Sequence, residues 1–383
     1  TGGDENGGLT RLVGKRVGII GTGATAVQCI PHLAKGAGQL YVFQRTPSSV
    51  DERNDHETDR AWFQGQPAGW FEERRSNFNL LLHGAPADKD LVGDGWTTIG
   101  RRMSDLMESG ELATMTIEQY GAAAERADFA KMEELRGRVD MTVTDAGTAE
   151  KLKPWYRQFC KRPCFHNDYL PAFNRPNVTL VDTDGQGVRQ IDETGVIVDG
   201  VHYALDCLIF STGFETNTAY SQRAGYTITG RGGLTLDDKW KDGVVSLHGM
   251  TTRGFPNSYF LSNFQSGFAL NYTHTLDEEA RHVAWIVAEG LNRNLRSIEP
   301  DLQAEADWVE GIVAAGNPLR DFFESCTPGY YNDEGKVRER SLKNAYYPGG
   351  SPAFFAMLAE WRADGRMAGM EIRGATLETP IRP

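Results

Sequence analysis

The sequence predicts an α/β fold with a parallel sheet, and three observations predict it. Arg16–Ile20 and residues 39–43 are short, apolar and partly β-branched, as buried strands are. A glycine-rich turn at 21–26 and a helix-like apolar spacing lie between them, which makes a strand–turn–helix–strand unit of the kind used in parallel sheets. Further strand-like segments follow at 177–182, 196–198 and 205–211.

The stretches outside these strands have a different character. Residues 51–149 are charged and helix-like, with the clearest helical spacing at 117–135, and they predict a helical insertion. After residue 213 come short β runs with turns and then a helix over about 276–291. The chain therefore predicts a sheet whose strands come from separate parts of the sequence.

Composition limits the class of protein. The 383 residues are 40% hydrophobic and 24% charged, which is typical of a folded globular chain of two or three domains. The net charge of −12 argues against a nucleic-acid partner, which would favour a basic face. No apolar run approaches the ~18 residues of a membrane span, and the first residues do not resemble a secretory leader.

Cysteine and histidine usage predicts neither a disulfide framework nor a metal site. Five sparse cysteines indicate reduced thiols in a reducing compartment, so we expect a cytoplasmic protein. Cys160 and Cys164 have neither redox nor zinc spacing. The eight histidines show no ligand motif, so no metal is predicted, and His274 and His282 are expected to be structural or pocket-lining.

The turn at residues 21–26 is where the sequence first indicates chemistry. Gly21 permits a tight turn, Gly23 lets the backbone approach a pyrophosphate, and the small Ala26 allows the helix to pack closely on the strand. The helix N-terminus then offers free N–H groups to an anion. The pattern predicts a dinucleotide-binding, Rossmann-like turn; the alternative is a glycine turn that only connects two elements.

The end of the second strand indicates which dinucleotide binds. An NAD site would carry Asp or Glu about 20 residues beyond the first glycine, whereas this chain has Gln44, Arg45 and Thr46 there. A planar guanidinium suits a 2′-phosphate, so NADPH is predicted rather than NADH. The alternative is that Arg45 is a solvated surface charge.

Several motifs together resemble one family. Gly-Thr-Gly-Ala-Thr-Ala at 21–26, Val-Phe-Gln-Arg-Thr-Pro at 42–47, Cys-Lys-Arg-Pro at 160–163, Ile-Phe-Ser-Thr-Gly-Phe at 209–214 and Gly-Phe-Pro-Asn at 254–257 stand in the order seen in Baeyer–Villiger monooxygenases. The resemblance implies NADPH and FAD as cofactors and insertion of one oxygen atom of O2 beside a ketone carbonyl through a flavin C4a-peroxide.

The resemblance also implies site residues. Arg162 matches the arginine beside the flavin C4a position and is the predicted catalytic residue, although a surface basic pair with Lys161 is the alternative. Arg45 and Thr46 would meet the 2′-phosphate, with Lys161 as a second cation. The remaining predicted cofactor-binding residues are Gly21, Thr22, Gly23, Ala24, Thr25, Ala26, Gln28, Thr212, Gly213 and Asn271.

These inferences predict a domain organisation. Residues 1–13 would be a linker, 14–54 and 151–213 the Rossmann-like NADPH domain, 55–150 the helical insertion, and 214–383 the C-terminal half of an FAD-binding α/β domain. The family's first flavin-binding glycine turn and its Phe-x-Gly-x-x-x-His signature are not in the chain. We therefore expect the chain alone to bind NADPH weakly, to hold FAD poorly and to lack turnover.

Two other functions stay open. A related flavin enzyme could oxygenate nitrogen or sulfur with the same chemistry, and the chain could be a non-catalytic NADPH-binding fragment. The substrate and the oligomeric state do not follow from the sequence.

Overall fold

The chain divides into two compact units in a computed structural model. The structure describes residues 2–3, 7–54, 57–83, 87–98, 117–214, 218–261, 264–317, 319–339 and 341–374. Unit 1 consists of Thr1–Gln66, Gly93–Thr216 and Ser325–Gly335, and unit 2 of Pro67–Val92, Asn217–Glu324 and Lys336–Pro383.

The secondary structure of the described residues is as follows. The strands are β1 (Arg16–Ile20), β2 (Gln39–Gln44), β3 (Val50–Asp51), β4 (Cys164–Phe165), β5 (Val178–Asp182), β6 (Gln190–Asp192), β7 (Gly195–Val198), β8 (Val201–Ala204), β9 (Cys207–Phe210), β10 (Leu295–Pro300) and β11 (Met370–Gly374). The α-helices are Ala24–Gly36, Arg60–Gln64, Trp70–Leu82, Ile117–Thr142, Ala146–Leu152, Tyr169–Ala172, Tyr220–Ala224, Leu236–Trp240, Tyr272–Asn292, Leu302–Ala315, Arg320–Glu324 and Gly350–Asp364.

Unit 1 contains the predicted parallel sheet. Its strand order is β5-β2-β1-β9, and β1 pairs in parallel with both β2 and β9. Val17, Ile19 and Ile30 are fully buried, so the helix Ala24–Gly36 covers the sheet through the apolar spacing seen in the sequence. The predicted α/β fold with a Rossmann-like sheet is confirmed, and the strand order reverses at β1, where such sheets place ligands.

Unit 1 also contains a small antiparallel sheet that the sequence indicated only in part. Its order is β6-β7-β8, and the strand expected at 196–198 is its central strand β7. The outer strands are short, β6 is exposed and β8 is exposed over its first half, so they lack the buried apolar pattern that predicts a strand from sequence.

Unit 2 is mainly helical in its described residues. The antiparallel pair β10–β11 packs with the helix Tyr272–Asn292 through Ile286 and Ile298. This helix begins four residues earlier than expected because the side chain of Asn271 caps it. No helix of the described residues is both long and apolar enough to cross a bilayer.

Two segments belong to a different unit from the residues on either side of them in the sequence. The helix Trp70–Leu82 of the predicted insertion belongs to unit 2, where Arg75 Nη2 lies 2.5 Å from Asp277 Oδ2. Conversely, Ser325–Gly335 from the predicted C-terminal half belongs to unit 1. Both differences arise from contacts between residues far apart in sequence, which segment-by-segment patterns do not register.

The expectation that all five cysteines are reduced thiols is wrong for two of them. Cys160 and Cys326 form a disulfide across 166 residues of sequence, whereas Cys29, Cys164 and Cys207 are free. The two bonded cysteines meet because Ser325–Gly335 folds back onto unit 1. A pairing of this kind depends on tertiary structure and has no signal in the spacing of the cysteines.

Candidate functional site

The glycine turn after β1 is built into the end of the parallel sheet. Gly21 has a φ of +108°, and its N–H donates to the carbonyl of Phe43 at the end of β2 (2.9 Å). A Cβ at this position would lie 2.2 Å from the carbonyl oxygen of Ser211, which follows β9. Only glycine therefore fits, because the turn is bonded to the end of β2 and approaches the residue after β9 closely.

The second glycine of the turn, Gly23, leaves the backbone open to solvent at the start of the helix. Gly23 is exposed and immediately precedes the helix Ala24–Gly36, and a Cβ there would meet no atom within 4 Å. The first-turn N–H groups of this 13-residue helix have no intrahelical partner. Ala26 is fully buried against the sheet, so the turn combines close packing on one side with an open backbone on the other.

Two hydroxyl groups tie this turn to the end of β2. Thr22 Oγ1 donates to the carbonyl of Thr46 (2.8 Å), and Ser48 Oγ donates to the carbonyl of Thr22 (2.5 Å). Thr22 is buried, and its hydroxyl is used in this contact. The arrangement brings the residues after β2, including Arg45, to the same edge of the sheet as the glycine turn.

The two predicted phosphate-binding cations lie together in unit 1. Lys161 Nζ donates to the carbonyl of Pro328 at 3.0 Å, and Arg45 Nη2 lies 3.5 Å from the same oxygen. Arg45 also pairs with Glu334, its Nη1 donating to Oε2 at 2.9 Å. The Arg45 side chain is about half exposed (45%). The cations therefore converge on one small volume that is open to solvent.

The surroundings of Lys161 change its ionisation. Burial, and secondly the positive charge of Arg45, lower the pKa of Lys161 to about 8, while Glu334 opposes this shift. The ammonium also lies 5.7 Å from the centre of the Tyr156 ring. An anion placed between Arg45 and Lys161 would relieve their repulsion, so this pair favours a group with high negative charge density.

The other predicted residues of unit 1 have the following positions. Arg162 is exposed in the segment between the short 3-10 helix Gln158–Cys160 and β4. Thr212 and Gly213 are exposed after β9, and Gly213 has a φ of +93°. Gln28 is exposed, with its amide bonded to the carbonyl of Ala24 (3.0 Å).

In unit 2, Asn271 has a clear structural task. Its side-chain oxygen accepts hydrogen bonds from Thr273 Oγ1 (2.6 Å) and from the backbone N–H of His274 (3.3 Å). It thus caps the long helix that follows. A role of Asn271 in cofactor binding stays a prediction.

Sequence reasoning missed the residues that contact the two cations. Glu334 and Pro328 lie 289 and 283 residues beyond Arg45. The ring of Tyr156 lies next to the Lys161 ammonium, and its hydroxyl donates to the carbonyl of Pro47 (2.9 Å). The Cys-Thr-Pro-Gly-Tyr-Tyr-Asn run at 326–332 is rich in turn formers and is the one signal that could have marked a compact loop there.

A parallel sheet that carries a glycine turn at its switch point defines a dinucleotide-binding protein of the Rossmann-like class. Comparison with known proteins shows which members of this class the chain resembles. The chain is 50% identical over 376 residues to pentalenolactone D synthase of Streptomyces arenae, covering 97% of this chain and 64% of that protein. It is 45% identical over 366 residues to a Baeyer–Villiger monooxygenase of Streptomyces coelicolor, covering 95% of this chain and 60% of that protein.

Solved structures agree with these relatives. A polycyclic ketone monooxygenase from Thermothelomyces thermophila superposes with a TM-score of 0.82 at 36% identity, covering 96% of this chain and 60% of that one. A steroid monooxygenase bound to NADP gives a TM-score of 0.71 at 25% identity, covering 97% of this chain and 69% of that one. No family model matches the chain.

Over nearly its whole length the chain is similar to Baeyer–Villiger monooxygenases, as the resemblance implied. It spans 60–64% of the length of the curated relatives named above.

Proposed function

We propose that this chain supplies the NADPH-binding part of an NADPH- and FAD-dependent monooxygenase that inserts one oxygen atom of O2 beside a ketone carbonyl. The observation that carries the proposal is the convergence of Arg45 and Lys161 on one oxygen at the sheet edge that also holds the glycine turn. Similarity to a Baeyer–Villiger monooxygenase and to a polycyclic ketone monooxygenase supports the ketone reaction over oxygenation of nitrogen or sulfur.

The residues present fit NADPH. The open backbone at Gly23 and the free N–H groups of the following helix suit a pyrophosphate. Arg45 presents a planar fork to a 2′-phosphate, and Lys161 adds a point charge beside it. Thr22 fixes the distance between the two halves of this site through its bond to Thr46, and so acts as a positioning residue.

FAD is proposed from the similarity of the chain to Baeyer–Villiger monooxygenases. When bound, a flavin supplies the redox chemistry that activates O2. The sequence contains a single strand–turn–helix glycine fingerprint, at residues 21–26, and we assign that one to NADPH. Arg162, exposed and permanently charged, is proposed to stabilise negative charge that develops during ketone oxidation.

Binding by the chain itself tests the cofactor assignment. Isothermal titration calorimetry should give a lower Kd for NADPH than for NADH. Arg45→Gln should raise the NADPH Kd by about tenfold to a hundredfold and leave the NADH Kd nearly unchanged, because a charged hydrogen bond contributes about 1.5–3 kcal/mol. Arg126→Gln, which removes an exposed arginine from the helix Ile117–Thr142, is the matched control. Equal binding of both cofactors by the unchanged chain would refute the assignment.

Product analysis tests the reaction. A protein in which this chain is joined to the portion of a relative that the chain does not span should consume NADPH with a ketone and yield an ester or lactone. Arg162→Ala should abolish this product while calorimetry shows unchanged NADPH binding. Oxidation of a thioether without ester formation would favour the alternative flavin chemistry, and no product with either substrate would favour a binding fragment.

The proposed partners are a small ketone and O2. A cytoplasmic location is also proposed; it is supported by the three free thiols, although the Cys160–Cys326 disulfide is unusual in a reducing compartment.

A further inference from the structure

A segment distant in sequence contacts both cations of the proposed 2′-phosphate site. We call Ser325–Gly335 the strap; it belongs to unit 1 although the residues on either side of it belong to unit 2. Its Glu334 pairs with Arg45 through both carboxylate oxygens, at 2.9 and 3.4 Å. The carbonyl of Pro328 in the strap accepts from Lys161 (3.0 Å). One segment thus holds the two groups that NADPH would need.

Hydrogen bonds within the strap hold its backbone in a strained conformation. Asp333 and Glu334 have φ values of +50° and +54°, a region that side chains other than glycine rarely adopt. Buried Asn332 organises this turn: its Oδ1 accepts from the N–H groups of Gly329 (2.9 Å) and Gly335 (3.2 Å), and its Nδ2 donates to the carbonyl of Cys326 (3.1 Å). These bonds hold the backbone from which the Glu334 side chain reaches Arg45.

The disulfide fixes the strap next to one of the cations. Cys326 is the second residue of the strap, and Cys160 directly precedes Lys161. The bond therefore keeps the strap at a high effective concentration near Arg45 and Lys161. Without it, the strap would be held only by the weaker noncovalent contacts, of which the Arg45–Glu334 pair is half exposed.

We propose that the strap is a built-in competitor of NADPH, in which the Glu334 carboxylate takes the position of the 2′-phosphate on Arg45 and the Cys160–Cys326 disulfide keeps it there. This proposal rests on the proposed function. A carboxylate and a phosphate oxygen both bind the guanidinium fork, so only one of them can hold the same N–H groups. Glu334 thereby sets how strongly the protein distinguishes NADPH from NADH.

Reduction of the disulfide makes this competitor redox-sensitive. A dithiol donates two electrons and two protons: the S–S bond breaks, Cys160 and Cys326 become thiols, and the dithiol becomes a disulfide. The freed strap then leaves Arg45 more often, and NADPH binds more tightly. NADH lacks the 2′-phosphate, so its affinity changes little.

Calorimetry with the oxidised chain tests the role of Glu334. Glu334→Gln should lower the NADPH Kd by about 1.5-fold to fivefold, the range for losing a competing exposed ion pair, and leave the NADH Kd unchanged. Glu72→Gln is the matched control, because it breaks another half-exposed Arg–Glu pair, with Arg281, and changes the net charge equally. An unchanged or weaker NADPH affinity in Glu334→Gln would overturn the proposal.

A dithiol titration tests the disulfide. Dithiothreitol should raise the number of alkylatable thiols from three to five in the unfolded chain and should lower the NADPH Kd about twofold or more. Cys326→Ser should show the lower Kd without dithiol and no response to it, and Glu334→Gln should also lose the response. Full reduction of the disulfide that leaves the ratio of the NADPH and NADH Kd values unchanged would contradict the proposed role of the disulfide.

The results separate the two proposals. If Arg45→Gln abolishes the preference for NADPH while Glu334→Gln and dithiol change nothing, the cofactor site stands and the strap proposal fails. If the unchanged chain binds NADPH and NADH equally, the cofactor assignment fails first. Because each result is a ratio of two affinities in one protein, a general loss of folding in Cys326→Ser does not imitate the expected effect.

Discussion

Replacing the two glycines of the turn by alanine one at a time should have different effects: Gly21→Ala should lower stability, and Gly23→Ala should weaken cofactor binding. In Gly21→Ala the new methyl group meets the carbonyl oxygen of Ser211 at 2.2 Å, and the residue keeps a φ of +108°. The backbone conformation costs roughly 1–2 kcal/mol, and the overlap of atoms costs about 1–3 kcal/mol more. We therefore expect a loss of about 3 kcal/mol in the free energy of unfolding.

Gly23→Ala should behave in the opposite way. Its φ is −72°, and the methyl group would meet no atom within 4 Å. The free energy of unfolding should change by less than about 1 kcal/mol. The same methyl group would point into the space where the backbone approaches a pyrophosphate, so the NADPH Kd should rise about tenfold.

Urea unfolding followed by tryptophan fluorescence and calorimetry with NADPH measure the two quantities on the same samples. Two results would refute this reasoning: Gly23→Ala as unstable as Gly21→Ala, or Gly23→Ala with unchanged NADPH affinity. The first would mean that the open space is needed for folding, and the second that the dinucleotide does not bind at this turn.

Three further predictions concern pH and the strap. Lys161, whose pKa is lowered to about 8, loses its charge above that pH; the NADPH Kd should therefore rise between pH 7 and 9, and Lys161→Gln should remove this dependence in calorimetry. Burial lowers the pKa of His248 to about 4 and of His282 to about 3. The unfolded chain therefore binds more protons than the folded chain below pH 6.5, and the free energy of unfolding should fall by about 2 kcal/mol per histidine from pH 7 to 5. In His282→Phe this fall should be smaller. Asn332→Ala should make the 325–335 segment sensitive to proteolysis, because four backbone groups lose their partner; equal cleavage rates would contradict its organising role.

The parallel sheet and the glycine turn were predictable because their signals are local. An apolar strand such as Arg16–Ile20 reflects burial on both faces, and Gly21 reflects a backbone conformation that few other residues adopt. The position of Arg45 could also be predicted, since it follows directly from the end of β2 at residue 44. These inferences need only neighbouring residues.

The remainder depends on contacts between distant residues. Glu334, 289 residues after Arg45, lies in a segment without helix or strand periodicity, so its contact has no local pattern. The Cys160–Cys326 disulfide and the placement of Trp70–Leu82 in unit 2 have the same origin. The long helix begins at Tyr272, before the predicted start at about residue 276, because the side chain of Asn271 caps it there.

A crystal structure of the chain with bound NADPH measures the central claim most directly. It should show oxygens of the 2′-phosphate within hydrogen-bond distance of Arg45 and Lys161, the pyrophosphate against Gly23, and the Glu334 carboxylate displaced from the guanidinium. A 2′-phosphate in solvent, or adenosine bound at another edge of the sheet while Arg45 stays paired with Glu334, would contradict it.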